Sequence, residues 1–395
     1  MHILIIPGEE LNEENHISSV FEIHQAIALK SLDVKVGFIS VNLEGSIYND
    51  IKSGEWKSIF RNRFQSFTQN IKGINLVASF GKYRTPAFLQ LYRKERIQAG
   101  VLAYKHYCKA FGHPDLIHAH SRFLDSILIA KKINEQFNIH YIITEHSTNH
   151  QRKIVSKKEY TNYIAAVEKA KCWIVVSDSL GKIIKSNIDK LNLKLTKTFR
   201  VVANVVDPNF GFIENEKNEK FIFLNIASLD EKKNHLLLLE SFKLVAEKYK
   251  NVELRIGGQG KLEEELKNHA EHLGLEQVTF LGSLNRLEAK REFIKSNAFV
   301  LSSDVETFGV VVIESLAIGR PVVSTICGGP EFILNSDNGI LIESKDILGL
   351  ANAMCEMINN YPNYNLNSIS KKCIEIYGPQ AIGKQLIQIY KEALI

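Results

Sequence analysis

The chain has few cysteines and no long apolar run, and each of these features argues against certain classes of protein. Only five of its 395 residues are cysteine; they are scattered, and no two are spaced as C-x-x-C. This pattern predicts a reducing compartment and argues against a zinc site or a disulfide framework. No stretch approaches the roughly 18 consecutive apolar residues of a membrane span, and the apolar run that starts at Ile3 is too short for a signal peptide. We therefore expect a cytoplasmic protein.

The sequence also lacks a strong excess of either charge. Its formal net charge is +5, which does not by itself imply a nucleic-acid partner, and no nucleic-acid recognition motif accompanies it. Basic residues do cluster between Lys82 and Lys109, with tyrosines interleaved. Two interpretations of this stretch stay open. It is either a solvated helix face or a patch that contacts an acidic acceptor or the anionic lipid head groups at the inner face of a membrane.

Short apolar segments alternate with helix-like segments along the whole chain. This alternation is typical of an α/β protein whose parallel sheets are covered by helices on both faces. The first series of predicted strands is His2–Ile6, Val34–Ile39, Ile74–Ser79, Leu116–Ala119, Tyr141–Thr144, Trp173–Ser177 and Arg200–Val202. The second series is Phe221–Ile226, Val252–Ile256, Val278–Leu281, Ala298–Ser302, Pro321–Ser324 and Gly339–Ile342.

Two such series indicate two Rossmann-like, doubly wound domains that face a cleft. The polar run Asn215–Lys220 between the series has the composition of a linker. We place the first domain at residues 1–203 and the second at residues 204–378. The final helix, within residues 379–395, has no strand after it, and we expect it to cross back to the first domain.

The segment Ser302–Gly319 predicts a strand end, a tight turn at Phe308-Gly309 and a helix. The helix is apolar nearly all the way round, which indicates burial, and Glu314 stands in its middle as a carboxylate that needs a partner or a ligand. The first turn offers free N–H groups and a positive dipole end, which suit a phosphate. Glu306 flanks the same opening. We therefore predict a diphosphate at the turn, with carboxylates on either side for sugar hydroxyls.

Other predicted strand ends carry histidines or glycines, and ligands bind beyond such ends in open α/β sheets. In the first half, histidines stand at His118-Ala119-His120 and at Glu145-His146. They are cleft residues or satisfied core residues, and their spacing does not indicate a metal site. In the second half, the segments Asn225–His235, Ile256–Gly260 and Cys327–Glu331 could converge on one ligand. None is a full dinucleotide fingerprint, and the segment Asn225–His235 alone favours a solvated charge over a phosphate contact for its lysine.

In these residues and motifs the chain resembles glycosyltransferase family 4, whose members are retaining enzymes with the GT-B fold. The resemblance covers nearly the whole length and is strongest from Phe221 to Ile342. Glu306 and Glu314 match the E-x7-E signature of that family. The loop Gly328-Gly329-Pro330-Glu331 is similar to its glycine-rich donor loop, and His120 takes the position of its active-site histidine.

The resemblance implies transfer of a sugar from a nucleotide-diphosphate-sugar donor to the hydroxyl of a glycan, lipid-linked or small-molecule acceptor. Glu314 would hold the ribose hydroxyls, and Glu306 the hydroxyls of the donor sugar. Phe308 and Gly309 would contact the donor through backbone N–H groups. Lys233 would stabilise the leaving diphosphate. His120 would contact the donor sugar.

The sequence departs from the family pattern at two positions. The arginine that pairs with the diphosphate-binding lysine falls on Ser228, so either Lys232 replaces it or the phosphates are held more lightly. Ser19 stands where many relatives have a glycine near the donor phosphate, and a side chain hinders close backbone approach. The family usually needs no metal, so Asp304-Val305-Glu306 is not interpreted as a metal-binding D-x-D, and no cofactor is expected.

Three other functions remain in competition with the transferase. A sugar-nucleotide 2-epimerase of the same fold would use the donor site without an acceptor. A non-catalytic sugar-nucleotide-binding subunit would explain the missing arginine. A NAD-dependent oxidoreductase is the weakest of the three, because no complete dinucleotide fingerprint is present.

Overall fold

Two mainly parallel sheets organise the described part of the chain. The computed structural model describes residues 1–9, 11, 20–46, 64–83, 89–122, 124–214 and 219–395. Unit 1 comprises Met1–Ala203 and Ile382–Ile395, and unit 2 comprises Asn204–Ala381. The predicted linker lies mostly outside the described residues. None of the helices within these ranges is long and apolar enough to cross a membrane.

Unit 1 contains an eight-stranded sheet in the order β3-β4-β2-β1-β5-β6-β7-β8. Its strands are β1 His2–Ile6, β2 Lys35–Ser46, β3 Phe64–Ile71, β4 Ile74–Tyr83, β5 Leu116–Ser121, β6 Tyr141–Glu145, β7 Cys172–Val175 and β8 Arg200–Val201. Its helices are α1 Val20–Lys30, α2 Leu89–Phe111, α3 Asp125–Phe137, α4 Lys157–Lys169 and α5 Asp178–Lys190. The last helix, α12 Pro379–Leu394, belongs to unit 1 from Ile382 onward. β1 pairs in parallel with both β2 and β5, which makes the β1–β5 boundary the point where the strand order reverses.

Strand β3, which pairs antiparallel with β4, was not predicted from the sequence. The two strands are joined at Lys72 and Gly73, whose φ angles are 49° and 77°. Positive φ at both central residues is the signature of a two-residue hairpin turn, which Asn-Gly or Asp-Gly usually provides. The lysine at the first position hid that signal.

Unit 2 contains a six-stranded sheet in the order β11-β10-β9-β12-β13-β14. Its strands are β9 Phe221–Ile226, β10 Val252–Gly257, β11 Val278–Gly282, β12 Ala298–Leu301, β13 Val322–Thr325 and β14 Gly339–Ile342. Its helices are α6 His235–Lys248, α7 Glu263–His272, α8 Arg286–Lys295, α9 Val310–Ile318, α10 Ile347–Asn360 and α11 Leu366–Tyr377. This is the doubly wound order, in which ligands bind where the strand order reverses; here that point lies between β9 and β12.

Several inner strands of both sheets are buried along their whole length. All residues of β1, β5, β6, β12 and β13 are buried, as expected for strands covered on both faces. In unit 2, residues of α6 and α10, such as Phe242 and Met354, complete one hydrophobic core against the sheet. The predicted α/β fold class is thereby confirmed.

Helix α9 is the predicted buried helix. Gly309 and Gly319 flank it with φ angles of 92° and 93°, a conformation that glycine adopts without strain. Every residue from Val312 to Ile318 is buried. The apolar sequence of the helix therefore reflects packing on all sides, with Glu314 enclosed among these residues.

Candidate active site

Lys233 and Glu306 form a salt bridge between their Nζ and Oε1 atoms. Lys233 ends a short 3-10 turn after β9, and Glu306 follows β12, so the pair lies where the strand order of unit 2 reverses. Only 15% of the lysine side chain and 11% of the glutamate side chain are exposed. A charged pair in so little water is strongly coupled, and this is the first geometric feature of the candidate site.

A hydrogen-bond framework holds these two segments together. Ser302 donates to the carbonyl of Lys233 at 2.9 Å, and Ser303 donates to Glu306 Oε1 at 3.1 Å. Asp304 accepts from the side chains of Asn234 at 3.0 Å and Ser344 at 3.1 Å. Asp304 thus has a structural role in this loop. The described residues contain no group of three or more histidines, cysteines, aspartates or glutamates that could hold a metal ion.

The Phe308-Gly309 turn packs directly against the glycine-rich loop. A Cβ atom on Gly329 would lie 2.4 Å from the carbonyl oxygen of Phe308, so the contact requires glycine. Gly328 has a φ of 111°, and its N–H donates to Glu331 Oε1 at 2.7 Å. Among the described residues, no side chain caps the start of α9 at Gly309. The positive end of the helix dipole thus lies at this turn, a position that suits an anion.

Glu314 is paired with an arginine that the sequence analysis did not identify. Arg286 Nη2 donates to Glu314 Oε1 at 2.7 Å and to Asp207 Oδ2 at 2.9 Å. Burial raises the pKa of the Glu314 carboxyl, and the Arg286 guanidinium opposes that rise. The partner that this buried carboxylate was expected to need is therefore Arg286. The partners were missed because the arginine begins a different helix, 28 positions away.

Ser228, the residue at the expected arginine position, is exposed and interacts with Asp230. Its hydroxyl donates to Asp230 Oδ2 at 2.8 Å, and Lys232 Nζ lies 3.7 Å from the same oxygen. The neighbouring glycine loop approaches this segment closely, because a Cβ atom on Gly258 would lie 1.8 Å from the carbonyl oxygen of Ala227. Ser228 and Lys232 therefore share one carboxylate beside the turn that carries Lys233.

In unit 1, three buried histidines lie together at the ends of β5 and β6. His118 is hydrogen-bonded to Tyr390 Oη at 2.8 Å and to Thr144 Oγ1 at 2.7 Å. His120 Nδ1 is bonded to His146 Nε2 at 2.9 Å. Burial lowers the pKa of His120 to about 3 and holds the pKa values of His118 and His146 well below their usual range. His120 Nε2 is buried and has no hydrogen-bond partner within the described ranges.

A cavity of about 480 Å³ opens beside β1 and β2 of unit 1. Its lining includes Gly8, Ser40, Tyr92, Arg93 and Asp125. Arg93 Nε donates to Asp125 Oδ1 at 2.8 Å, so charges of opposite sign are paired in its wall. The cavity thus combines an aromatic ring, a hydroxyl and a balanced ion pair.

Comparisons with known proteins show similarity to glycosyltransferases. The family model described as "Glycosyl transferases group 1" matches residues 207–373. An uncharacterized glycosyltransferase of Methanocaldococcus jannaschii is 36% identical over 173 residues, which is 41% of this chain and 41% of that protein. The matched region therefore spans less than half of that relative's own length.

Two solved structures align along nearly the whole chain. Sucrose-phosphate synthase from Thermosynechococcus elongatus has a TM-score of 0.71 at 18% identity and covers 99% of this chain and 98% of its own. A TarM mutant from S. aureus, solved with fondaparinux, alpha-GlcNAc-glycerol and UDP, has a TM-score of 0.69 at 16% identity and covers 98% of this chain and 99% of its own. The chain has the GT-B fold of these structures. The predicted fold is confirmed.

Within this GT-B chain, the structure brings some of the predicted residues together. Lys233 contacts Glu306, and the Phe308-Gly309 turn contacts Gly329. The other predicted donor residues of unit 2, Ser228, Glu314, Gly328 and Glu331, lie in loops or helices that follow its strands. His120 lies in unit 1, and Ser19 lies outside the described residues.

A buried glutamate near the start of α1 was also missed. Glu22, in the first turn of this helix, accepts a hydrogen bond from the N–H of Gly8 at 3.3 Å. Burial raises the pKa of the Glu22 carboxyl to about 7, although Arg122 opposes the shift. The signal was present in the sequence as an acidic residue at the start of an apolar helix, where carboxylates are common.

The basic stretch of α2 divides into paired and exposed residues. Arg93 and Arg96 are ion-paired with Asp125, and Arg93 also contacts Glu159. The interleaved Tyr104 and Tyr107 are buried. These aromatic side chains therefore belong to the core. The exposed basic residues of the described helix are Lys94, Lys105 and Lys109.

Proposed function

We propose that the protein is a retaining glycosyltransferase of family 4 that moves a hexose from a nucleotide-diphosphate-sugar donor to an acceptor hydroxyl. The observation that carries this proposal is the Lys233–Glu306 salt bridge at the strand-order reversal of unit 2. It places a cation and a carboxylate next to the start of α9. A phosphate and a polyhydroxylated group could bind there side by side.

In this proposal the donor separates the two charges. Lys233 turns to the diphosphate and stabilises the negative charge that develops on the leaving group. Glu306 accepts hydrogen bonds from the hydroxyls of the donor sugar. In the structure each of these residues balances the charge of the other, and this attraction offsets part of the desolvation penalty of two largely buried charged groups.

The backbone supplies the rest of the donor site. Phe308 and Gly309 offer N–H groups at the start of α9, and Gly328 and Gly329 allow close approach of the ligand. Glu331 Oε2 is buried without a hydrogen-bond partner in the described part of the chain, so it could accept from a sugar hydroxyl. Ser228 and Lys232 contact the phosphates in place of the missing arginine.

His120 contributes from unit 1 as a neutral imidazole. Its pKa of about 3 means that it carries no charge at neutral pH. Its unpartnered Nε2 can exchange a hydrogen bond with a hydroxyl of the donor sugar. We assign the acceptor to unit 1 as well, where the balanced charges of the cavity beside Tyr92 suit a hydroxylated molecule.

No metal and no cofactor takes part in the proposed reaction. UDP is our first choice of donor nucleotide, because the TarM structure contains it. The acceptor is a glycan, a lipid-linked glycan or a small molecule, and the reaction belongs to the synthesis of surface polysaccharide or lipid-linked glycan. We place it in the cytoplasm, with peripheral contact at the inner face of the membrane.

A panel of nucleotide sugars tests the proposal. The protein is incubated with each donor, with and without acceptor glycans, and the products are analysed by mass spectrometry and NMR. We expect release of nucleoside diphosphate and formation of an α-linked product from an α-linked donor, and loss of both with Glu306→Ala. Inversion at C2 of the donor without acceptor would identify an epimerase. Transfer that is unaffected by Glu306→Ala would show that the site is assigned wrongly.

A further inference from the structure

Glu314, Arg286 and Asp207 form a compact group of three charges. One nitrogen, Arg286 Nη2, bridges the two carboxylates at 2.7 Å and 2.9 Å. Only 3% of the Glu314 side chain and 5% of the Asp207 side chain are exposed, against 32% for Arg286. With both acids ionised, two negative charges face one positive charge. The group is therefore suited to neutral hydrogen-bond donors and unsuited to a further anion.

The arginine is fixed on more than one side. Its guanidinium carbon lies 5.3 Å from the centre of the Phe210 ring. Its backbone begins α8, whose N-terminus is capped by Asn285 through hydrogen bonds of 3.0 Å to the N–H groups of Leu287 and Glu288. A side chain held by a ring, two carboxylates and a capped helix has little freedom, so it can fix the orientation of the carboxylate it contacts.

We propose that Arg286 is a positioning residue for the nucleoside part of the donor. It keeps Glu314 ionised and in one orientation, so that this carboxylate accepts hydrogen bonds from the vicinal hydroxyls of a ribose. The inference rests on the proposed function and deepens it. The Glu314 carboxylate held in this way selects a ribonucleotide with free hydroxyls over a deoxyribonucleotide, and it disfavours a ribose that carries a phosphate.

Calorimetric titration with UDP and with 2′-deoxy-UDP tests this role, with ADP, GDP and their deoxy counterparts in parallel. We expect the wild-type protein to prefer one ribonucleotide over its deoxy form by about tenfold, which corresponds to the loss of one hydrogen bond to a charged group. Arg286→Gln should reduce that preference to about twofold or less. Arg286→Lys, which keeps the charge, should retain part of it. A purely structural defect would weaken both nucleotides equally and leave their ratio unchanged.

The pH dependence of binding gives a second readout. The charged or titratable groups around Glu314 are Arg286 of α8, Asp207 and the Cys373 thiol of α11, which donates to the carbonyl of Ile313 at 3.3 Å. Burial raises the pKa of Cys373 to about 12, so it stays neutral. Without the arginine, Glu314 should take up a proton more readily. UDP affinity of Arg286→Gln should then fall as the pH is lowered from 8.5 to 6.5, more steeply than that of the wild type.

Arg291→Gln is the matched control, because this arginine is exposed and lies in the same helix; it should leave the nucleotide ratio unchanged. Thermal unfolding checks that each variant is folded, and Arg286→Lys carries the test if Arg286→Gln is not. Tighter UDP binding by Arg286→Gln would overturn the inference, because it would show that Arg286 competes with the ribose for Glu314. An unchanged ratio in the folded Arg286 variants would also overturn it.

The same experiment separates this inference from the proposed function. A wild-type protein that transfers sugar but binds ribo- and deoxyribonucleotides equally overturns the role of Arg286 alone. A wild-type protein that binds none of the nucleotides overturns the proposed function, and the inference with it.

Discussion

The Nδ1 atom of His120 lies 2.9 Å from the Nε2 atom of His146. Their rings are stacked, with centroids 5.2 Å apart and planes 16° from parallel. In such a pair one nitrogen donates and the other accepts, so the tautomer of one ring fixes that of the other. His146 therefore determines whether the free Nε2 of His120 donates or accepts a hydrogen bond.

We predict that the three buried histidines lower the stability of unit 1 in acid. Their pKa values in the folded protein lie below 6.5, the usual value. As the pH falls below 6.5, the unfolded chain binds protons that the folded chain does not, so stability is lost at roughly 1.4 kcal/mol per pH unit for each histidine. Urea denaturation at pH 7.5, 6.5 and 5.5 measures this slope. His146→Gln should reduce it, whereas replacement of the exposed His140 should not; equal slopes in both variants would contradict the prediction.

Glu22 should have the opposite pH dependence. Its pKa in the folded protein is about 7, above that of an unfolded glutamate. The folded chain therefore binds the extra proton between about pH 4.5 and 7, and stability is lost as the pH rises through this range. Glu22→Gln should remove this loss and raise the free energy of unfolding at pH 8 by about 1–3 kcal/mol, with little gain at pH 4.5. Denaturation curves at both pH values give the comparison, and an equal gain at both would count against a buried neutral carboxyl.

Lys233→Met should lower kcat by about 10²–10³-fold, because it removes the positive charge proposed to stabilise the leaving diphosphate. Glu306→Gln should lower kcat/KM, because it removes the carboxylate charge. It keeps a side-chain oxygen that can still accept a hydrogen bond from the donor sugar. Steady-state kinetics with the donor found in the nucleotide-sugar panel measures both variants. Lys261→Met is the control, since 66% of that lysine side chain is exposed. Equal activity of the Lys233 and Lys261 variants would exclude the proposed role.

Gly329→Ala should disturb the donor loop. The new methyl group would lie 2.4 Å from the carbonyl oxygen of Phe308, so one of the two loops must move, at a cost of about 1–3 kcal/mol. We expect a higher KM for the donor and a lower melting temperature. Gly211→Ala is the matched control, because no atom of the described residues lies within 4 Å of the position its new methyl group would take. Identical behaviour of the two alanine variants would show that the loop contact is unimportant.

The membrane interpretation of α2 is best tested on its exposed lysines. Arg93 and Arg96 are already paired with Asp125, so their replacement would also disturb the fold. Replacing Lys94, Lys105 and Lys109 by Ser should reduce sedimentation with anionic liposomes at low salt, since each lysine near an anionic surface contributes about 1 kcal/mol. The exposed Lys157, Lys158 and Lys171 provide a control with the same loss of charge. Equal binding of all three proteins would leave only the solvated-face interpretation.

The fold was predictable because its signals are local. Short apolar strands such as His2–Ile6 and Phe221–Ile226 have the predicted bounds, since burial on both faces leaves a continuous apolar run. β3 was missed because its buried and exposed positions alternate irregularly and its turn begins with lysine. Local sequence thus identifies buried strands more readily than an edge hairpin.

The site was only partly predictable because side-chain partners are set by the tertiary structure. Ligand-binding residues of open α/β sheets lie beyond the carboxyl ends of the strands. This rule predicted Lys233 and Glu306 at one edge of the sheet, although they are 73 positions apart. The same rule says nothing about Arg286, which begins a helix and reaches sideways to Glu314. Similarly, β5 and β6 could be predicted as strands, but the His120–His146 pairing depends on their register.

Helix α12 limits when unit 1 can complete its fold. Tyr390 contacts His118 across 272 positions of sequence, and unit 1 is built from two separate stretches of chain, whereas unit 2 is one continuous stretch. Contacts between distant positions form late, because closing a long loop carries an entropic penalty. During synthesis, unit 1 therefore lacks the tyrosine that binds its central histidine until the last helix has been made, although most of unit 1 is translated first.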